Sequence, residues 1–244
     1  MRLVWLVVPM SACSLLTNLD SLHGDAGMPA PGPACQADAT FCDDFSEPAD
    51  ASFFPPWTAK HLYGNGQLAR TFAGMTCLSA SASEGGFANL EKDFIVAATK
   101  IHYAFDMQIT SYPTAGGNVN TNSIQVPLVP PVGSTVLLSV FLNVTSGMTE
   151  LAVQQHFVDG GVGNGATVAF TPPSLGVWTH FDMTLDLGMG IASLDIDDGG
   201  FDASIQTLLT LPANPSKITA GVDFTGPPVD QFGMLITNTT VWLE

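Results

Sequence analysis

Positive charge is scarce in this sequence. Its 244 residues carry 6 Lys and Arg against 22 Asp and Glu, a formal net charge of −16. Such a surface repels phosphate backbones, so nucleic acid is not an expected partner, and it offers no electrostatic adhesion to anionic lipid. Charge of either sign is thin, at 11% of residues, and a single dominant sign keeps such a chain soluble. Cysteine is limited to four residues with no Cys-x-x-Cys and no Cys/His cluster, which argues against a zinc centre. The five histidines show no metal-ligand spacing. Gly-x-Ser-x-Gly is missing, so a hydrolase nucleophile elbow has no support. No period of 20–50 residues recurs, which disfavours a propeller or solenoid.

Apolar residues make up 46% of the chain, and 24 Gly and 17 Pro punctuate it. Few charges, many β-branched residues and frequent Gly/Pro turns predict an all-β domain. The clearest stretch runs from Gly176 to Phe201. Thr179, Phe181, Met183, Leu185 and Leu187 fall at period two, with Trp178, His180, Asp182, Thr184 and Asp186 between them, the pattern of a strand with one buried face. Gly188 and Gly190 bracket a turn. A second strand follows at 191–197, and Asp198-Gly199-Gly200 reads as a further hairpin turn. Lys100–Ser111 alternates as cleanly, with Ile101, Tyr103, Phe105, Met107 and Ile109 on one side. About a dozen strands are expected, including 123–129 and 134–144, with a Gly/Asn loop over 115–122.

Gly176-x-Trp178-x-His180, an alternating strand, a turn and a strand ending in Asp-Gly (195–199) resemble the laminin-G-like and concanavalin A-like jelly rolls. Phe41-Cys42-Asp43-Asp44-Phe45 and the segment 86–94 are similar to strands of exported bacterial proteins with such domains. The resemblance implies a concanavalin A-like jelly-roll sandwich of two antiparallel sheets, expected over residues 40–244.

Ahead of it, Met1-Arg2 and the eight apolar residues Leu3–Met10 have the form of a signal peptide over residues 1–12 and are too short to span a bilayer. Met10-Ser11-Ala12-Cys13 resembles the bacterial lipobox, which implies acylation of Cys13 and a lipid anchor in the membrane. A residue other than aspartate at Ser14 lacks the simplest inner-membrane retention signal, so the expected address is the outer membrane or cell surface of a bacterial envelope. Residues 13–39, with the Pro/Gly run 25–34, read as a flexible tether. Three cysteines remain. Cys35–Cys42 is the favoured disulfide, worth roughly 2–3 kcal/mol; Cys42–Cys77 would close a longer loop worth about 4.

Polysaccharide cleavage on a jelly roll requires clustered carboxylates, and the Glu-x-Asp-x-x-Glu pattern of one such family is missing. Asp195 and Asp197 share a strand face, but paired Asp is common at Asp-Gly turns. Lyase relatives imply an arginine on the sheet, and the setting of Arg70 does not match. Calcium is a candidate ligand, with Asp43, Asp44, Asp195, Asp197 and Asp198 as loop oxygens. A sugar would stack on aromatic rings, for which Trp57, Tyr63 and Tyr112 are the candidates, while Trp178 and Trp242 read as packing. These features point first to a non-catalytic binding module for a glycan or a surface protein. A degenerate or unusual glycoside hydrolase or polysaccharide lyase is the alternative, and a structural envelope protein the third reading.

Overall fold

The computed structural model describes residues 38–46, 54–114, 116–145, 147–163, 165–197, 201–207 and 214–244. Among them all regular structure is strand: β1 (Phe41–Asp43), β2 (Ala59–Tyr63), β3 (Gln67–Phe72), β4 (Thr76–Ala82), β5 (Phe87–Ala98), β6 (Lys100–Ser111), β7 (Val119–Val132), β8 (Thr135–Val144), β9 (Thr149–Phe157), β10 (Ala166–Phe170), β11 (Trp178–Asp186), β12 (Ile191–Ile196), β13 (Phe201–Gln206), β14 (Asn214–Thr225) and β15 (Phe232–Leu243). They form two antiparallel sheets. One runs β13-β12-β11-β6-β15-β4-β3, with β1 taking over beside β15 beyond β4. The other runs β10-β9-β8-β7-β14-β5-β2. The chain passes repeatedly from one sheet to the other, as in a jelly-roll sandwich.

The period-two pattern dictates which side chains meet between the sheets. On β11, Thr179, Phe181, Met183 and Leu185 are buried, as are Ile101, Tyr103, Phe105, Met107 and Ile109 on β6. Phe181 and Phe105 stack at 5.4 Å, and Phe170 of β10 meets Phe181 at 6.4 Å, so the ring cluster joins both sheets. Tyr103 crosses the core from β6 and donates its hydroxyl to the Thr219 carbonyl of β14 at 2.8 Å. Burial holds that phenol well above its ordinary pKa, so it remains a donor across the working pH range.

The expected all-β sandwich and the β11–β12 hairpin are present. The Gly/Asn loop ends earlier than expected: Asn120, Thr121 and Asn122 already belong to β7. Polar composition reads as a turn, but here it lines a sheet. Asn122 sits at φ +44°, and its side-chain oxygen accepts the Gly221 N–H at 2.9 Å. At this point β14 gains one residue on β7 between Thr219 and Val222, a β-bulge. A Cβ on Gly221 would lie 2.4 Å from the Ala88 carbonyl, so only glycine lets β14 approach β5 this closely.

Cys13, Cys35 and Asp198 lie outside the described residues, as do the signal segment and most of the tether. Cys42 is disulfide-bonded, and Cys77 is a free, buried thiol. The Cys42–Cys77 alternative is therefore corrected; Cys77 sits on β4 and packs with Trp178 and Leu235 on the outside of the eight-stranded sheet.

Candidate functional site

The outer face of the seven-stranded sheet carries the site. Phe87, Asn89 and Glu91 of β5 and Lys217 and Thr219 of β14 point outward there, because their even-numbered neighbours Ala88, Leu90, Ile218 and Ala220 are core. Phe87, Asn89 and Glu91 stand beside Lys217, Thr219 and Asp223 and border a depression of about 260 Å³ that also includes His61. Ser123, Ser139, Gln154 and His156 of β7, β8 and β9 border an adjoining one of about 170 Å³. Gln125 and Asp223 line both, so the two form one polar groove running across the strands.

Asp223 is the centre of its hydrogen bonding. Asn89 Nδ2 donates to Oδ1 at 2.9 Å, and Thr219 Oγ1 donates to Oδ2 at 2.7 Å. Thr219 Oγ1 accepts the Ser123 N–H at 3.0 Å and lies 2.8 Å from Ser123 Oγ, which in turn accepts from Gln125 Nε2 at 2.9 Å. Because the Thr219 hydroxyl proton is committed to Asp223, Ser123 donates to Thr219. The chain of donors from Gln125 thus ends on one carboxylate. Despite these donors, burial pushes the Asp223 pKa up to about 6, outweighing the hydrogen bonds and the attraction of Lys217 that lower it. A carboxyl with that pKa holds its proton for a large part of the time in mildly acidic water, which suits a general acid.

A second carboxylate, Glu91, stands on the adjacent strand. Lys217 Nζ is 2.9 Å from Glu91 Oε2, and His61 Nε2 is 3.6 Å from the same oxygen. In the adjoining depression burial lowers the His156 pKa, which keeps the imidazole neutral and able both to donate and to accept. Asn89 is buried, and its Oδ1 has no hydrogen-bond partner; a buried acceptor without a donor is costly unless a ligand supplies one.

The aromatic candidates separate. Trp57 is only 2% exposed, packs edge-on to Phe41 at 5.0 Å and donates its indole N–H to Asp43 at 2.6 Å. It offers no ring face to a ligand, so its assignment to ligand binding is corrected: a tryptophan in a Pro-rich loop is here a core residue. Tyr112 packs half-buried against the core and donates its hydroxyl to the Pro173 carbonyl at 2.5 Å, and burial lifts its pKa to about 12. It stands at the end of β6, in the other sheet. Tyr63 is 63% exposed and stacks on Phe87 at 5.3 Å as a cross-strand pair. Phe87 borders the groove, so this pair forms an apolar shelf at its rim.

The acidic candidates also separate. Asp43 is buried and accepts from Trp57 and from the Phe45 N–H at 2.7 Å, while Asp44 accepts the Ser46 N–H at 2.9 Å. Asp195 and Asp197 stand at the β12 end of the eight-stranded sheet. Asp195 pairs in register with Asp182 and Asp202, and Asp197 accepts the His180 N–H at 3.0 Å. Among the described residues no group of three or more His, Cys, Asp or Glu side chains is arranged to hold a metal ion.

No protein-family model matches the sequence, and no curated protein matches it. Solved structures do match its fold. Alginate lyase A1-II', a member of polysaccharide lyase family-7, superposes with a TM-score of 0.55 at 13% identity, over 75% of this chain and 85% of that one. A GH16 enzyme of a Bacteroides ovatus mixed-linkage glucan locus, in complex with the product G4G4G3G, has a TM-score of 0.55 at 10% identity, over 83% of this chain and 99% of that one. The binding domain of botulinum neurotoxin DC, in complex with SialylT, has a TM-score of 0.50 at 12% identity, and the match spans 75% of this chain but only 42% of that one. Identities this low establish a shared architecture. They correct the expectation of a non-catalytic module, because that architecture is one that polysaccharide-cleaving enzymes use. The missing Glu-x-Asp-x-x-Glu pattern was weak ground for excluding catalysis: Glu91 and Asp223 reach one depression from two different strands.

Proposed function

We propose that this chain is a polysaccharide-cleaving enzyme whose substrate lies across the outer face of the seven-stranded sheet, with Asp223 as the proton donor. The observation that carries this reading is a carboxyl with a pKa raised to about 6 at the junction of two polar depressions, held by Asn89 and Thr219. Proton transfer to a glycosidic oxygen requires a positioned acid that is still protonated near its working pH. Glu91 supplies a second carboxylate on the neighbouring strand, and the Tyr63–Phe87 shelf supplies an apolar surface for a sugar ring. The likeness in fold to an alginate lyase and a glucan-cleaving enzyme supports the same class. The signal-like segment and Cys13 support an exported, lipid-anchored protein at the bacterial envelope, a place where an extracellular polysaccharide is within reach.

The test is release of reducing ends from a panel of polysaccharides by the wild-type protein and by Asp223→Asn. Cleavage of at least one polymer is expected, with kcat reduced at least ~100-fold in the variant, the scale of a lost general acid. Failure to cleave any polymer, or full activity in the variant, overturns the assignment.

A further inference from the structure

The proposed site has a charge balance that separates it from a groove for an acidic polymer, and this inference rests on the reading of that groove as a polysaccharide-cleaving site. We infer that the substrate is an uncharged glycan and that the bond is broken by hydrolysis rather than elimination.

The cations decide the first point. Lys217 is the sole lysine or arginine among the residues lining the two depressions, and its ammonium group is already 2.9 Å from Glu91. Asp223 adds a further carboxyl. The other described cations are engaged elsewhere: Lys60 and Arg70 lie over the Phe54 ring, and Lys92 lies over the Phe41 ring and donates to the Pro56 carbonyl at 2.9 Å. Lys100 belongs to β6, in the other sheet. A polyuronate would bring one carboxylate per sugar into a groove that has no uncommitted lysine or arginine among the described residues, on a chain of net charge −16. Two like charges at 4 Å repel by roughly 4 kcal/mol at an effective dielectric of 20, and the field of the whole chain adds to this.

The buried Asn89 Oδ1 lacks a donor, which a ring hydroxyl, common to neutral and acidic sugars, would supply; the charge balance is what separates the two. The Tyr63–Phe87 shelf at one end of the groove, Phe224 beside Asp223, and Leu137 and Phe141 of β8 offer apolar surface to the C–H faces of sugar rings without regard to charge.

The chemistry follows from the substrate. Elimination removes the proton next to a ring carboxylate, which acidifies it, and an uncharged sugar has no such group. Hydrolysis breaks the C1–O bond. The Asp223 carboxyl gives its proton to the departing glycosidic oxygen, Glu91 accepts a proton from water, and the hydroxide so formed bonds to C1. Both products are then neutral alcohols or hemiacetals, and the two carboxyls have exchanged protonation states, which solvent restores.

The experiment is affinity electrophoresis of the purified full chain in gels containing neutral polymers (a mixed-linkage β-glucan, xylan, galactomannan) or acidic ones (alginate, polygalacturonate). Products are assayed for reducing ends and for the ultraviolet absorbance of an unsaturated uronide. Retardation by a neutral polymer is expected, insensitive to added salt, with reducing ends and no unsaturated product. Glu91→Gln releases the Lys217 ammonium and should raise affinity for the polyuronates about tenfold, the consequence of removing one nearby like charge at about 1.4 kcal/mol. Tighter wild-type binding to alginate or polygalacturonate, steep loss of binding with salt, or an unsaturated product overturns this inference and leaves the cleaving groove intact. Binding to neither class overturns both.

Discussion

Replacing Asp223 by Asn should make the protein inactive and, above pH 6, more stable. The carboxyl has an ordinary pKa of 3.8 and one of about 6 in the fold. A carboxylate raised in this way binds its proton more tightly in the folded state than in the unfolded one. Its contribution is fully favourable below the unfolded pKa and is lost as pH rises from about 4 through about 6. The displacement corresponds to ~3 kcal/mol at about 1.4 kcal/mol per pH unit, an upper bound because part of the side chain faces the open groove and water. Of this, ~2 kcal/mol accrues between pH 4 and pH 7.

Asparagine is close in size and does not titrate, so it removes the pH-dependent loss. It also disturbs the two donors aimed at the carboxylate, a fixed cost of about 1 kcal/mol that is the same at both pH values. The informative quantity is therefore a double difference: urea unfolding free energy of Asp223→Asn minus wild type at pH 7, less the same difference at pH 4. It should be positive, at ~1–2 kcal/mol after allowance for solvent. A value of zero or below would mean that the groove does not desolvate this carboxyl, and the case for Asp223 as an acid held ready for proton transfer would collapse.

Two other substitutions separate the aromatic candidates. Trp57→Ala empties a site between Phe41, Phe45 and Asp43; it should cost ~3–5 kcal/mol in urea unfolding and leave glycan affinity within about twofold of wild type in the fraction that remains folded, measured in stabilising osmolyte. A large and selective loss of affinity would return Trp57 to the binding surface. Tyr63→Ala should do the reverse, lowering glycan affinity about fivefold through loss of ~1 kcal/mol of stacking, with stability changed by no more than ~0.5 kcal/mol; unaltered affinity would remove the shelf from the site.

The contrast between these tyrosine and tryptophan residues shows how far the sequence could be read. Strand periodicity reports one bit per residue, inward or outward, and where a strand alternates cleanly that bit was correct: β6 and β11 bury the residues their pattern indicated. It fails where a strand carries an outward polar face with Gly and Asn in it. Asn120–Asn122 read as loop chemistry, yet with Gly221 they form the bulged β7–β14 pairing beside the groove. Loop aromatics were a similar trap. Pro55-Pro56-Trp57 looks like an exposed turn, and nothing local shows that Asp43, 14 residues earlier, waits to accept the indole N–H.

The site itself was illegible for a topological reason. Carboxylates that share one face of one strand lie two residues apart in the sequence. Here the groove runs across the strands, so its members are separated by the connections between them: Asn89 and Asp223 are 134 residues apart and hydrogen-bonded, and Ser123 and Thr219 are 96 apart. In a sheet where β14 lies between β5 and β7, sequence neighbours are not groove neighbours. One local sign was available. Asp223 is the lone acid of β14, at an outward position directly after the Ala220-Gly221-Val222 stretch that packs into the core. A lone acid at the edge of such a run carries a desolvation cost, and a position that retains one invites a chemical explanation. Burial turns that cost into the raised pKa a proton donor needs, while Asn89 and Thr219 hold the carboxyl in place.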